Sequence, residues 1–124
     1  GAGAGDGSGS GMDAGGASIA PIYFDLDKSD IKPQFESVLE AAAATLKSSG
    51  GSAVIEGHCD ERGSDEYNVA LGERRAVAVR RYLYNLGVPV SQLSVVSYGE
   101  ARPAVSGTGE TAWSLNRRAE IKLQ

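Results

Sequence analysis

The chain has 124 residues, with 12 lysines and arginines against 16 aspartates and glutamates and a formal net charge of −4. That length suits one domain with a modest core, and the acidic balance argues against a nucleic-acid binder, which carries a basic excess. No apolar run approaches the ~20 residues that cross a bilayer, and the single cysteine, Cys59, allows no intrachain disulfide and leaves the redox compartment open.

Residues 1–17 are almost entirely Gly, Ala, Ser and Asp. With so little to bury they cannot offset their ordering entropy, and they read as a flexible linker or a cloning remnant preceding a domain over 18–124. Ile19, Ile22 and Phe24 then suggest a strand that Pro21 shortens or pushes to a sheet edge. An acidic loop, Asp25 to Asp30, leads to Pro33, which suits a first helical turn. Ile31, Phe35, Val38, Leu39, Ala42 and Leu46 recur at helical spacing until Gly50-Gly51 stops the helix. A second strand is expected over about Ala53 to His58.

The next helix carries Val69, Gly72, Ala76, Val79, Leu83 and Leu86 as its core stripe, with Asn68, Leu71, Arg75, Ala78 and Tyr82 along one flank. Gly72 within that stripe costs roughly 1 kcal/mol of helix propensity, which close packing against a neighbour would explain. Gly87 and Pro89 end the helix. Leu93, Val95 and Val96 mark a third strand ending at Tyr98-Gly99. After a polar loop, Trp113 to Asn116 forms a turn of helix, with Trp113 either exposed or core. Ala119, Ile121 and Leu123 alternate with Arg118, Glu120 and Lys122 in a last strand. The order predicts an α+β fold: a two-layer α/β sandwich with two main helices on one face of a four-stranded mixed sheet, βαβαββ.

The informative stretch is Gly57-His58-Cys59-Asp60-Glu61-Arg62-Gly63. An apolar strand ends there in a polar turn, and a basic amphipathic helix follows at once. Strand ends of this kind tend to hold ligand groups. Asp60 at the strand exit and Arg75 about two turns into the helix can converge on a ligand carrying an ammonium and a carboxylate on one carbon. Arg binds a carboxylate through two parallel hydrogen bonds, which Lys cannot match. The alternative is that Asp60 and Arg75 pair with each other at the surface, worth about 0–1 kcal/mol. Arg75 is expected at the border between core and solvent, so replacing either residue by Ala should abolish binding and spare the fold.

Five blocks now carry a resemblance: Tyr23-Phe24-Asp25-Leu26-Asp27, Glu56 to Gly63, Glu66 to Ala76, Val96-Ser97-Tyr98-Gly99-Glu100 and Asn116-Arg117-Arg118-Ala119. In this order they resemble the OmpA-like peptidoglycan-binding domain, most closely the peptidoglycan-associated lipoprotein (Pal) group. The resemblance implies non-catalytic binding of the meso-diaminopimelate peptide stem of peptidoglycan. Asp60 would meet the diaminopimelate ammonium and Arg75 its carboxylate. Asp27 and Leu26 would contact the same stem, and Leu71 and Asn68 would line the pocket. It further implies a Tol-Pal-type tether in envelope integrity and division, at the periplasmic face of the outer membrane. The lipid anchor would be N-terminal, and its cysteine is absent from this sequence. A TolB-like propeller would be a second partner, and the alternative function is a module binding mainly that protein. Many members carry Thr where this chain has Cys59. Arg117 and Arg118 read as structural.

Enzyme readings fare worse. His58 is the only histidine, and as a strand neighbour of Cys59 it points to the opposite face, so it cannot readily activate the thiol. A metal site from His58, Cys59 and Asp60 lacks a second ligand cluster. No cofactor is expected.

Overall fold

The computed structural model describes residues 19–124, so the linker reading of residues 1–17 lies outside the described residues. Four segments pair into one sheet: β1 (Ile22–Tyr23), β2 (Ala53–His58), β3 (Leu93–Gly99) and β4 (Arg118–Leu123). Their order is β1-β4-β2-β3; β2 runs parallel to β3, and β4 is antiparallel to both β1 and β2. The short β1 sits at the edge directly after Pro21, where a missing backbone donor is tolerated. Helices α1 (Glu36–Ser49), α2 (Asp65–Asn85) and the short α3 (Glu110–Asn116) complete the fold. This is the predicted α+β sandwich, with Trp113 half-buried inside α3.

Period-two alternation decides what faces the helices. Ala53 and Ile55 of β2 and Ala119 and Ile121 of β4 are buried with Leu39, Leu46, Val79 and Leu83 of α1 and α2 in one core. Each large aliphatic so buried contributes roughly 1.5–3 kcal/mol. A 3₁₀ turn, Pro33–Phe35, leads into α1. That helix ends at Gly50, whose φ of 69° places it in the left-handed region and whose N–H closes on the Leu46 carbonyl.

The expected close approach at Gly72 is real. A Cβ on Gly57 would lie 1.7 Å from the Gly72 carbonyl oxygen, and one on Gly72 would lie 2.3 Å from Ser97 Oγ. Backbone therefore rests on backbone where α2 crosses β2. The predicted stripe of α2 needs a correction. Val69 is 47% exposed and Leu86 only half-buried, whereas Asn68, Leu71 and Arg75 join Gly72, Ala76, Val79 and Leu83 inside. The first turns of α2 lie at the end of the sheet, so the row facing inward there meets loops and is polar. Among the described residues, no helix is long and apolar enough to cross a membrane.

Candidate functional site

Beyond β2 the chain leaves the sheet through Cys59 to Gly63 and enters α2, whose first turn is fixed by Ser64 accepting the Tyr67 N–H at 3.1 Å. A cavity of about 340 Å³ opens at this corner, and all six residues expected in the site line it: Leu26, Asp27, Asp60, Asn68, Leu71 and Arg75. Cys59, Arg62, Tyr67 and Arg117 line it too. A larger groove of about 800 Å³ flanks α2 on the Ile31, Val77 and Tyr82 side, but its charged residues are all exposed and none of the predicted residues reaches it.

Arg75 is fully buried, not at the solvent border. Its Nε donates to the Lys28 carbonyl at 2.8 Å, Nη1 to the His58 carbonyl at 2.9 Å and Nη2 to the Asp25 carbonyl at 3.2 Å. It therefore straps the first loop, which carries Leu26 and Asp27, onto the end of β2. Three of the five guanidinium N–H groups are used, leaving one on each terminal nitrogen. Among the described residues, no carboxylate comes within ion-pair distance of it. Burial pulls its pKa below the usual arginine value, although a guanidinium remains protonated.

Asp60, 5% exposed, pairs with neither Arg75 nor solvent. Its Oδ1 accepts the backbone N–H and Nε of Arg62 at 3.0 and 3.2 Å, and its Oδ2 accepts Arg62 Nη2 at 2.8 Å. Burial acts to raise its pKa, but those hydrogen bonds and the charge of Arg62 outweigh it and hold the carboxyl below its ordinary value. The Arg62 guanidinium also stacks 3.8 Å above the Trp113 ring. The proposed surface pair of Asp60 with Arg75 is thus replaced by a local Asp60–Arg62 pair, with Arg117 Nη1 3.6 Å from Oδ2.

The remaining walls are set by backbone geometry. Asp27 has a φ of 59°, a left-handed conformation that short polar side chains tolerate, and it accepts the Tyr67 hydroxyl. Asn68 donates to the Arg62 carbonyl at 2.9 Å and Glu100 Oε1 at 2.6 Å, tying the turn to the end of β3. Cys59 Sγ donates to the Asn68 carbonyl at 3.2 Å, and burial pushes the thiol pKa up. Arg117 donates from Nε to the Phe24 carbonyl at 3.0 Å and from both terminal nitrogens to Glu110.

Sequence reasoning did not place Arg62, Tyr67 and Arg117 on the cavity wall. Arg62 was legible in principle, since an Asp accepting the N–H two residues on is a common turn device. Arg117 was set aside with Arg118, but strand alternation sends the two apart. Arg118 pairs across from His58 on the sheet's open face, where it bonds Glu120, which also holds Lys122 at 2.8 Å. His58 stacks on Tyr98 and sits 3.2 Å from Glu56, and its pKa is lowered by burial and by Arg118. Its ring lies across the sheet from Cys59, as strand geometry requires.

The OmpA family profile matches residues 23–117. The peptidoglycan-associated lipoprotein of Pseudomonas aeruginosa is 52% identical over 120 residues, which span 97% of this chain and 71% of that protein. A crystal structure of the peptidoglycan-associated lipoprotein from Burkholderia pseudomallei superposes with a TM-score of 0.82 at 43% identity, covering 84% of this chain and 89% of that one. The C-terminal domain of Helicobacter pylori MotB, at 24% identity and a TM-score of 0.78 over 86% of this chain and 84% of its own, shares the fold.

Proposed function

The chain belongs to the OmpA family, and on that premise we propose that its pocket grips the diaminopimelate-containing peptide stem of peptidoglycan. It is a binding domain, not an enzyme, and holds its ligand without covalent chemistry. The observation that carries the reading is Arg75: a fully buried cation with two N–H groups unspent and no carboxylate at ion-pair distance among the described residues. A desolvated charge is costly unless a partner arrives, and an amino-acid carboxylate supplies one through two parallel bonds. The carbon that bears that carboxylate also bears an ammonium, for which Asp60 is the ionised acceptor in the same cavity. Asp27 and Leu26 meet the stem from the first loop, and Leu71 and Asn68 form the floor.

The biological role that follows is a reversible tether between outer membrane and wall within a Tol-Pal-type system, the membrane end held by an N-terminal lipid. Weak single contacts suffice there, because many copies beside a polymeric ligand act at high effective concentration. A second reading, docking of a TolB-like propeller, is favoured by Leu26 and Tyr67, 55% and 44% exposed at the mouth of the charged cavity. Such an apolar rim suits a protein partner whose footprint overlaps the ligand site.

An NMR titration with a meso-diaminopimelate muropeptide, beside a lysine-containing muropeptide lacking the side-chain carboxylate, tests the assignment. Saturable shifts at Asp27, Asp60 and Arg75 with the first ligand alone are expected. Equal shifts with both would remove Arg75 as the carboxylate clamp, and shifts with neither would leave the protein partner as the working function.

A further inference from the structure

A carboxylate offers about four lone-pair positions, and Arg62 occupies three of those on Asp60, two at Oδ1 and one at Oδ2. The position left is on Oδ2, and Arg117 Nη1 stands 3.6 Å from that atom, close enough for an ion pair but beyond hydrogen-bonding distance. What holds Arg117 there is visible. Its Nη1 and Nη2 donate to Glu110 Oε1 and Oε2 at 3.3 and 2.9 Å, a forked pair, while Nε is fixed on the Phe24 carbonyl. Glu110 opens α3, outside the cavity, and its side chain is 69% exposed.

We propose that Glu110 is a positioning residue for the binding site. By engaging both terminal nitrogens of Arg117, it keeps that guanidinium from closing on Asp60 and so reserves the last acceptor position for the ligand's ammonium. This rests on the diaminopimelate reading above. Without Glu110, Arg117 keeps Asp60 as its one ion-pair partner and is free to close the remaining distance. It then completes the ring of donors around Asp60, and the ammonium must compete with a resident arginine. The short helix α3 therefore acts on binding without touching ligand.

Two measurements on the intact domain test this. In the first, the Asp60 carboxyl carbon is followed by NMR through an acid titration with no ligand present. Its midpoint moves further down in Glu110→Gln, because Arg117 closes on it. Glu110→Asp separates contact from charge: it keeps the charge but lacks the reach for both nitrogens, so it follows Glu110→Gln if the forked contact is what matters. In the second, affinity for the meso-diaminopimelate muropeptide falls about two- to fivefold in both variants, the scale of a well-placed ion pair. An unmoved Asp60 midpoint in Glu110→Gln, or a Glu110→Asp variant matching the parent, overturns the proposal. A parent domain that binds no muropeptide while the midpoint still moves overturns the diaminopimelate reading and leaves the Glu110–Arg117–Asp60 coupling standing.

Discussion

The two faces of the sheet end each bury arginine, and Arg118 on one and Arg75 on the other are treated oppositely. On the open face Arg118 is bonded to Glu120, which also holds Lys122, and His58 lies against Glu56. The buried arginine there has its counter-charge within the fold. On the helix face Arg75 is buried to the same degree, but its hydrogen bonds go only to carbonyl oxygens, with the Phe24 ring centroid 5.3 Å from its guanidinium carbon. Carbonyls satisfy its hydrogen bonds and leave its charge unmatched. A buried cation paired with a carboxylate within the chain holds the fold together, and one held by carbonyl dipoles and an aromatic face with no carboxylate of its own is prepared for an anion from outside. Two pairs of successive residues, His58-Cys59 and Arg117-Arg118, feed these two environments from single stretches of chain.

The largest effect is expected where that difference is sharpest. Arg75→Ala should abolish muropeptide binding, and it should also strand the carbonyls of Asp25, Lys28 and His58, costing about 3–5 kcal/mol of stability. The sequence-based expectation that the fold is spared at this position is revised accordingly. Asp60→Asn removes the ammonium acceptor but leaves its Arg62 partner 35% exposed to water, so binding should be lost with about 1 kcal/mol or less of stability. Urea unfolding of both variants, beside the muropeptide titration, checks the pair. Equal stability losses would mean that Arg75 is no strap.

That revision shows what the sequence held and what it withheld. Strand β4 was legible residue by residue, because alternation is a property of one segment. All six expected site residues reach the cavity, since the motif blocks that pointed to them sit in the first loop, at the strand end and on the first turns of α2. The depth of Arg75 was not legible. On a helix it is one position from the apolar stripe, and whether that row faces core or water depends on the first loop folding back over it, a contact between residues 47 apart. Val69 failed for the same reason in reverse: it looked like core by spacing but sits against Gly99, at the very end of β3, where the sheet no longer covers it.

The open face makes a smaller and purely structural prediction. Arg118 and Lys122 outweigh the cost of burial and hold Glu120 down at about 2, against an ordinary 4.5. A carboxyl whose folded pKa is depressed stabilises fully above its unfolded value and loses that contribution as pH falls toward the folded one. Stability should therefore decline between pH 4.5 and about 2, and Glu120→Gln should flatten that decline by about 1 kcal/mol after allowance for solvent screening. His58 adds in the same direction from a higher pH: its folded pKa is lowered, so acidification below its ordinary 6.5 favours the unfolded chain. Muropeptide affinity at neutral pH should be unchanged in Glu120→Gln. A change there would join the two faces into one electrostatic unit and end the contrast.

The smallest effect belongs to Cys59, which sits in the cavity wall with its thiol donating to a carbonyl of α2. A Thr hydroxyl is a stronger donor of similar size and can reach the same Asn68 oxygen, so Cys59→Thr should change stability by about 0.5 kcal/mol or less and affinity by less than about twofold. Val has the same shape without the donor, and Cys59→Val should cost about 1 kcal/mol. Denaturant unfolding separates the two variants. If Thr and Val behave alike, the site tolerates this position by shape alone and the thiol bond contributes nothing. If Thr instead raises affinity several-fold, its hydroxyl reaches past the wall to the ligand, and Cys59 is a specificity residue of the pocket rather than part of its frame.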